Sequence, residues 1–270
     1  MGAGLSERAI KSSLHGAWGR ALRVFDEIGS TNSEALEWAR AEGPEGAVVV
    51  ADHQLEGRGR RGRTWMSAPG AALQFSVILR PVTGGRTGLL PIVAGLACAE
   101  GIGACCGLDV AVKWPNDVTV EGRKLAGILV ETQLEGADVR ACVAGIGVNC
   151  HWTEGDFPPE LTTRASSIDI ERRRRGVVSP WRRADLLAAI LDRFEGCYRL
   201  LDESNGAALV VERAAARSEV LGHRVQVRLG GGRQVGGRAV ALAPSGGLVL
   251  ATAGGEVVLE AGEVELLRPT

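Results

Sequence analysis

Apolar residues fall into two textures that change near residue 217. Upstream, nearly continuous apolar runs at 47–51, 73–79, 110–114, 126–131 and 139–147 read as strands, several buried on both faces, because a strand with one wet face alternates instead. Residues 32–41 read as a helix, with Thr31 and Glu34 as a capping box. Residues 183–201 read as a longer one, with Leu187, Ile190, Leu191, Phe194, Tyr198 and Leu201 at helical spacing. The uncharged run 87–99 ends at Glu100, short of the roughly 20 residues a membrane span requires, and predicts a buried helix. Downstream, short alternating strands at 225–229, 235–242, 248–252 and 256–259 are parted by glycine turns, the texture of a small β-barrel. The expected division is an N-terminal extension (1–20), an α/β (α+β) domain (21–217) and a β-barrel (218–270).

Composition narrows the classes. The 270 residues are 45% apolar and 23% charged, with a formal net charge of −1, so no global field draws the chain to nucleic acid or an anionic membrane. Six cysteines form no Cys-x-x-Cys pair, which favours reduced thiols in a cytoplasmic protein over zinc or disulfides. Of 31 basic residues only Lys11, Lys113 and Lys124 are lysines. Where arginine is the habit, a retained lysine points to a task that guanidinium does not suit.

The sharpest local signal is Gly57, Arg58, Gly59, Arg60, Arg61 and Gly62, a literal G-x-G-x-x-G. A dinucleotide fingerprint needs a strand just before it, a helix just after, and a carboxylate about 20 residues on. Here a polar stretch precedes it, residues 64–70 cannot open a helix, and positions 76–79 carry no acid. The dinucleotide reading fails. Arginines on a glycine loop suit an anion clamp, since glycines admit close approach and guanidinium forks grip phosphate or carboxylate; a solvated basic loop is the bland alternative. Lys113, Trp114, Pro115, Asn116 and Asp117 end one strand, with Asn116 and Asp117 expected to make the turn, and Lys124 stands at the mouth of the next. Gly145, Gly147 and Asn149 close a further strand, where glycines let a ligand approach or mark a bulge. Ser30, Thr31 and Asn32 read as a helix N-cap whose free N–H groups and hydroxyls also suit a polar, amide-like ligand.

In order and spacing these segments resemble the biotin protein ligases: Ser30-Thr31-Asn32, Gln54 before the Arg/Gly loop, Lys113 to Asp117, Lys124 to Glu131, and Gly145 to Asn149. The resemblance covers about residues 22–200, and the terminal strands match that family's SH3-like domain. It implies a mixed β-sheet backed by helices, like the catalytic domains of class II aminoacyl-tRNA synthetases. It also implies formation of biotinyl-5′-adenylate from biotin and MgATP, then transfer of biotin to a lysine of a carboxylase carrier domain.

On that resemblance Lys124 bridges the biotin carboxylate and the α-phosphate. Arg58 and Arg60, with Gly59, close the loop over the ligand. Ser30, Thr31, Asn32 and Gln54 hold biotin. Lys113 assists with the triphosphate, and Asp117 orients neighbouring cations or Mg²⁺. Trp65, Gly147, Asn116 and Asn149 face the adenylate, with Trp65 as an apolar lid. Residues 151–170 are expected as a second mobile loop, and 172–175 as a solvated helix lead-in. Twenty residues before the catalytic segment leave no room for a DNA-binding domain, so the expectation is a ligase without a repressor function, a monomer or weak homodimer, with no nucleic-acid or membrane partner. Two rivals stand beside it: a lipoate protein ligase or octanoyltransferase of the same fold, and a nucleic-acid-binding module built on the Arg loop.

Overall fold

The apolar runs become the centre of a seven-stranded sheet in a computed structural model that describes residues 5–81, 84–136 and 138–267. Helix α1 (Glu7–Ser13) precedes β1 (Leu22–Ile28), α2 (Thr31–Arg40), β2 (Val48–Gln54) and β3 (Ala72–Leu79). Next come α3 (Leu90–Cys106), β4 (Ala111–Lys113), β5 (Asp117–Val120), β6 (Arg123–Glu135) and β7 (Asp138–Asn149). Helices α4 (Ile168–Arg174), α5 (Arg183–Leu200) and α6 (Gly206–Ala216) lead to β8 (Arg224–Arg228), β9 (Gln234–Leu242), β10 (Leu248–Thr252), β11 (Gly255–Leu259) and β12 (Glu263–Leu266).

The large sheet runs β1-β2-β3-β7-β6-β5-β4, with β1 parallel to β2 and every other neighbour antiparallel. It is a mixed sheet backed by helices on both faces. Every residue of β3 is buried, as its apolar run predicts. Val48, Val50, Phe75, Val77, Ala144 and Ile146 share one core with residues of α3 and α5. Val49, Ile78, Ala141 and Val143, offset by one residue and therefore on the opposite face, pack with Ala35 and Ala39 of α2. Where α2 begins, that second face stops being apolar, and the site lies there.

Helix α3 starts with Pro91 in its first turn and runs past Glu100, further than the uncharged run predicted. The carboxylate is accommodated by Arg213 of α6, at 2.7 and 2.8 Å. With the turn before it, Thr87–Cys106 is long and apolar enough to cross a membrane by length and composition, but most of it is buried inside the protein as a core helix. Residues 5–20, expected as an extension, pack into the main core through Leu5, Ile10, Leu14 and Trp18. Strand β1 was not foreseen, because Arg23, Asp26 and Glu27 interrupt its pattern at the sheet edge. Strand β5 was hidden in the segment read as a turn.

Where the small barrel is expected, five antiparallel strands form a second sheet in the order β11-β10-β9-β8-β12. Its inner residues Val225, Val227, Ala239, Leu248 and Leu250 share a core with Ile92 of α3 and with Trp114. The Trp114 indole N–H also donates to Gly246 O at 3.0 Å. The second sheet is therefore packed against the end of the first.

Candidate functional site

Registers across the large sheet bring scattered motif residues into one row. Gln74 of β3 pairs with Gly147 of β7, Gly147 with Gly127 of β6, Gly127 with Asp117 of β5, and Asp117 with Lys113 of β4. Residues directly opposite one another on paired strands face the same side. The next row along is Ser76, Gly145 and Leu129. Leu129 apart, these rows form a floor of small and polar positions that reaches the N-terminal end of α2.

The glycines are there because something lies on them. A Cβ at Gly147 would stand 2.5 Å from Cε2 of Trp65, and one at Gly145 only 2.1 Å from Oδ1 of Asn32. At Gly127 a Cβ would meet Lys124 Nζ at 3.0 Å and the Trp65 ring at 3.2 Å. Trp65 thus lies across the row, against Gly127 and Gly147. Its indole N–H is buried with no hydrogen-bond partner among the described residues. Such a donor is costly to leave unpaired, unless another molecule accepts from it.

Lys124 reaches the same place. Its Nζ lies 2.6 Å from Asp117 Oδ1 and 5.7 Å from the Trp65 ring centroid. Asp117 and Lys124 are therefore an ion pair on the row. Lys113 is placed beside Asp117 by the β4–β5 register.

At the other end of the row, the start of α2 is wired to the strands. The expected capping box is not formed: Ser30 is the N-cap but makes no side-chain cap bond. The groups are diverted into the site. Gln54 Oε1 accepts from Thr31 N–H at 2.7 Å and from Thr31 Oγ1 at 3.0 Å, while Gln54 Nε2 donates to Gln74 Oε1 at 2.8 Å. Ser76 Oγ sits 2.8 Å from Thr31 Oγ1 and 2.6 Å from Asn32 Oδ1. Asn32 Nδ2 donates to Glu131 Oε2 at 2.8 Å, and Glu34 is taken by Arg23 at 2.6 Å. Ser30, Thr31 and Asn32 are all buried.

The Arg/Gly loop joins β2 to β3 and carries only a one-turn 3₁₀ helix at Arg60–Gly62, so no dinucleotide-type helix follows it. It is a hairpin: Trp65 N–H donates to Gly57 O at 2.8 Å and Gly59 N–H to Arg63 O at 2.7 Å. A Cβ at Gly57 would come within 2.3 Å of Trp65 O, which is why glycine stands there. Each arginine has an acceptor. Arg58 Nη2 donates to Glu131 Oε2 at 3.0 Å, and Arg60 Nη1 to Asn116 Oδ1 at 2.9 Å and Gly262 O at 3.4 Å. Arg63 is bonded to Glu263 of the second sheet, and Arg61 lies 3.7 Å from the same carboxylate. Burial, and next the Arg61 guanidinium, push Arg60 below the usual guanidinium range, with Asp117 and Glu263 opposing. It stays charged at any ordinary pH.

Asn116 and Asn149 flank the floor. Asn116 Nδ2 donates to Ile128 O at 2.7 Å, and Asn149 Nδ2 to Ser166 O at 3.0 Å. The site so assembled can bind a polar ring at the α2 end, cover it with an indole, and present Lys124, Arg58 and Arg60 to anionic groups. Among the described residues no cluster of three or more His, Cys, Asp or Glu side chains is placed to hold a metal ion.

Profiles of two families match the chain: the Biotin/lipoate A/B protein ligase family over residues 24–149, and the Biotin protein ligase C terminal domain over 220–267. The biotin--[acetyl-CoA-carboxylase] ligase of Mycobacterium tuberculosis is 34% identical over 275 residues, covering 98% of this chain and 96% of that one. The chain belongs to the biotin protein ligase family. It spans about half the length of the bifunctional ligase/repressor BirA of Bacillus spizizenii, 42% identical over 166 residues, or 61% of this chain and 51% of that one. Among solved structures, the Aquifex aeolicus biotin protein ligase in complex with biotin and ATP superposes with a TM-score of 0.77 at 29% identity, over 93% of this chain and all of that one.

Family membership fits a site in which each motif of the resemblance supplies part of one surface. Several partners were not foreseen. Gln74 and Ser76 left a signal, as polar residues at alternate positions of an otherwise apolar run. Glu131 closes the Lys124 motif and turns out to hold both Asn32 and Arg58. Glu263 gave no local sign, because its contact spans about 200 residues. The arginines at 172–175 are not a helix lead-in but the last turn of α4 and its C-cap, with Arg173, Arg174 and Arg175 exposed as expected. Arg172 is buried, donating to the carbonyls of Cys106 and Ser179, and Arg174 and Arg175 bond to Glu171. The segment 151–170 holds a short 3₁₀ turn at Glu154–Asp156 and gives its last residues to α4.

Proposed function

We propose that the protein is an ATP-dependent biotin protein ligase of the cytoplasm. The observation that carries this reading is the row Gln74–Gly147–Gly127–Asp117–Lys113, with Lys124 and Trp65 lying over its glycines. Biotin's ureido ring binds among Ser30, Thr31, Asn32 and Gln54, and Trp65 covers the ligand. In the first step a biotin carboxylate oxygen attacks the α-phosphorus of ATP, forming the mixed anhydride and expelling pyrophosphate. Two anions must meet, so catalysis rests on fixing geometry and neutralising charge. Lys124 is the compact point charge between the oxyanions; Arg58 and Arg60 hold phosphate, and Lys113 assists with the triphosphate. Mg²⁺ arrives with ATP as part of the substrate, beside Asp117. Gly147, Asn116 and Asn149 border the adenylate. In the second step the neutral amine of a carrier-domain lysine attacks the acyl carbon, releasing AMP and a proton to leave an amide.

The deciding experiment incubates the protein with ATP and either biotin or lipoate, and reads acyl-adenylate by mass spectrometry and ATP–pyrophosphate exchange. Biotinyl-adenylate with biotin alone is the expected result. A lipoyl-adenylate, or no adenylate in either mixture, overturns the reading.

A further inference from the structure

Lys124 and Asn149 stand on different strands, but one short segment braces both. Lys124 N–H donates to Arg164 O at 2.8 Å, and Ser166 N–H returns to Lys124 O at 2.9 Å. The Ser166 carbonyl also accepts from Asn149 Nδ2 at 3.0 Å. Behind this brace lies Glu171 of α4, a fully buried carboxylate that the site itself does not touch. Its Oε1 accepts from Ser166 Oγ at 2.5 Å and from Arg123 Nε at 3.0 Å, and its Oε2 from Arg123 Nη2 at 3.1 Å. Arg123 is the residue immediately before Lys124. The carboxylate therefore grips the brace from the loop side through Ser166 and from the strand side through Arg123.

Other charges around it are balanced. Arg175 Nη1 reaches Glu171 at 2.6 Å and Arg174 Nη1 at 3.2 Å. Glu121 links Arg123 and Arg175 at 2.9 and 2.7 Å, and Glu154 takes Arg174 at 2.7 Å. Burial pushes the Glu171 carboxyl up, but bonds from Arg123, Ser166 and Arg175 outweigh it and leave it below the ordinary range. It is an ionised anchor.

We infer that Glu171 is a positioning residue for adenylate formation, fixing the Lys124 backbone and the Asn149 amide relative to each other through Ser166 and Arg123. The inference rests on the ligase reading above. Neutralising an arginine cluster or closing α4 requires no bond to the segment that clamps Lys124, and Ser166 makes one.

The test measures biotin-dependent ATP–pyrophosphate exchange by the full chain. Removing the charge in Glu171→Gln lets Lys124 drift, and misplacement of about 1 Å costs on the order of 10²-fold, so kcat should fall roughly 10- to 100-fold. The KM for biotin should move by less than about threefold, because the network of Thr31, Gln54 and Ser76 is untouched. In a Lys124→Ala background the same substitution should cost less than about threefold in adenylate formed, since coupled residues are non-additive. Ser166→Ala keeps the carboxylate and its bonds to Arg123 and removes only its loop-side hold on the brace; it should lower kcat about three- to tenfold. A folded Glu171→Gln protein with wild-type kcat, or an equal loss in both Lys124 backgrounds, overturns the inference. If Glu171→Gln does not fold, Ser166→Ala decides: unchanged kcat overturns, a loss confined to kcat supports. Absence of exchange in the wild type overturns the ligase reading instead, and this inference with it.

Discussion

Strands β3 and β7 show Leu73, Phe75, Val77, Ile146 and Val148 to the larger core on one face. On the other they show Gln74, Ser76, Gly145 and Gly147 to Gln54, α2 and Trp65. Both faces are buried, and they differ in what burial is for. Apolar side chains on the first remove area from water and hold the sheet in place. On the second, small residues make room and polar ones hold partners, at a cost in packing that the first face offsets. The stability of the strands and their chemistry are thus separated by one residue of register.

The comparison can be broken from either side. The largest effect should come from the core face. Phe75 is fully buried, and Phe75→Ala should cost about 3–5 kcal/mol of unfolding free energy, read by urea denaturation. Any protein still folded should keep adenylate synthesis near normal. Next is Lys124→Ala on the site face, where losing a contact to developing charge should lower pyrophosphate exchange by about 10²–10³-fold. The denaturation midpoint should barely change, and Lys124→Arg should rescue poorly because a planar fork does not fit a point-charge position.

Arg60→Gly should have a smaller and different signature. Each charge-assisted bond contributes roughly 1.5–3 kcal/mol, so the variant should still make adenylate but lose it about ten- to a hundredfold faster. Biotin should then appear on albumin mixed with an acceptor domain; unlabelled albumin at full adenylate synthesis would remove Arg60 from the retaining role. The smallest effect sharpens the comparison most. In Gly147→Ala the new methyl meets Trp65 at 2.5 Å, and the indole rather than the sheet must give way. Biotin should bind about tenfold more weakly by calorimetry, in the range of a mild overpacking, with denaturation almost unchanged.

How much of this was legible depends on distance along the chain. The apolar runs located β2, β3, β6 and β7 to within a few residues, because hydrophobic continuity is local. Thr31 and Glu34 suggested a cap and were used otherwise, since tertiary partners, Gln54 for one and Arg23 for the other, outcompeted it. The motif residues could be named from the sequence, but not their row. Gln74 and Gly147 meet only when β3 pairs with β7, and no local pattern encodes that register. The acidic partners Glu131, Glu171 and Glu263 were hidden for the same reason: each has a partner tens to hundreds of residues away, Arg58, Arg123 and Arg63 in turn.

Trp114 has a further consequence. It follows Lys113, yet its ring is sealed against Ile92 and the inner residues of β8 to β10, and its indole N–H is spent on Gly246. The two sheets therefore share buried side chains across the change of texture near residue 217, and we expect a chain divided there to lose them. A protein cut there would carry a bare tryptophan with an orphaned donor beside its ligand floor, and Arg61 and Arg63 would lose their carboxylate. The two sheets should melt in one transition, and a shortened gene product should reach the cell as a substrate for its proteases and not as a smaller enzyme.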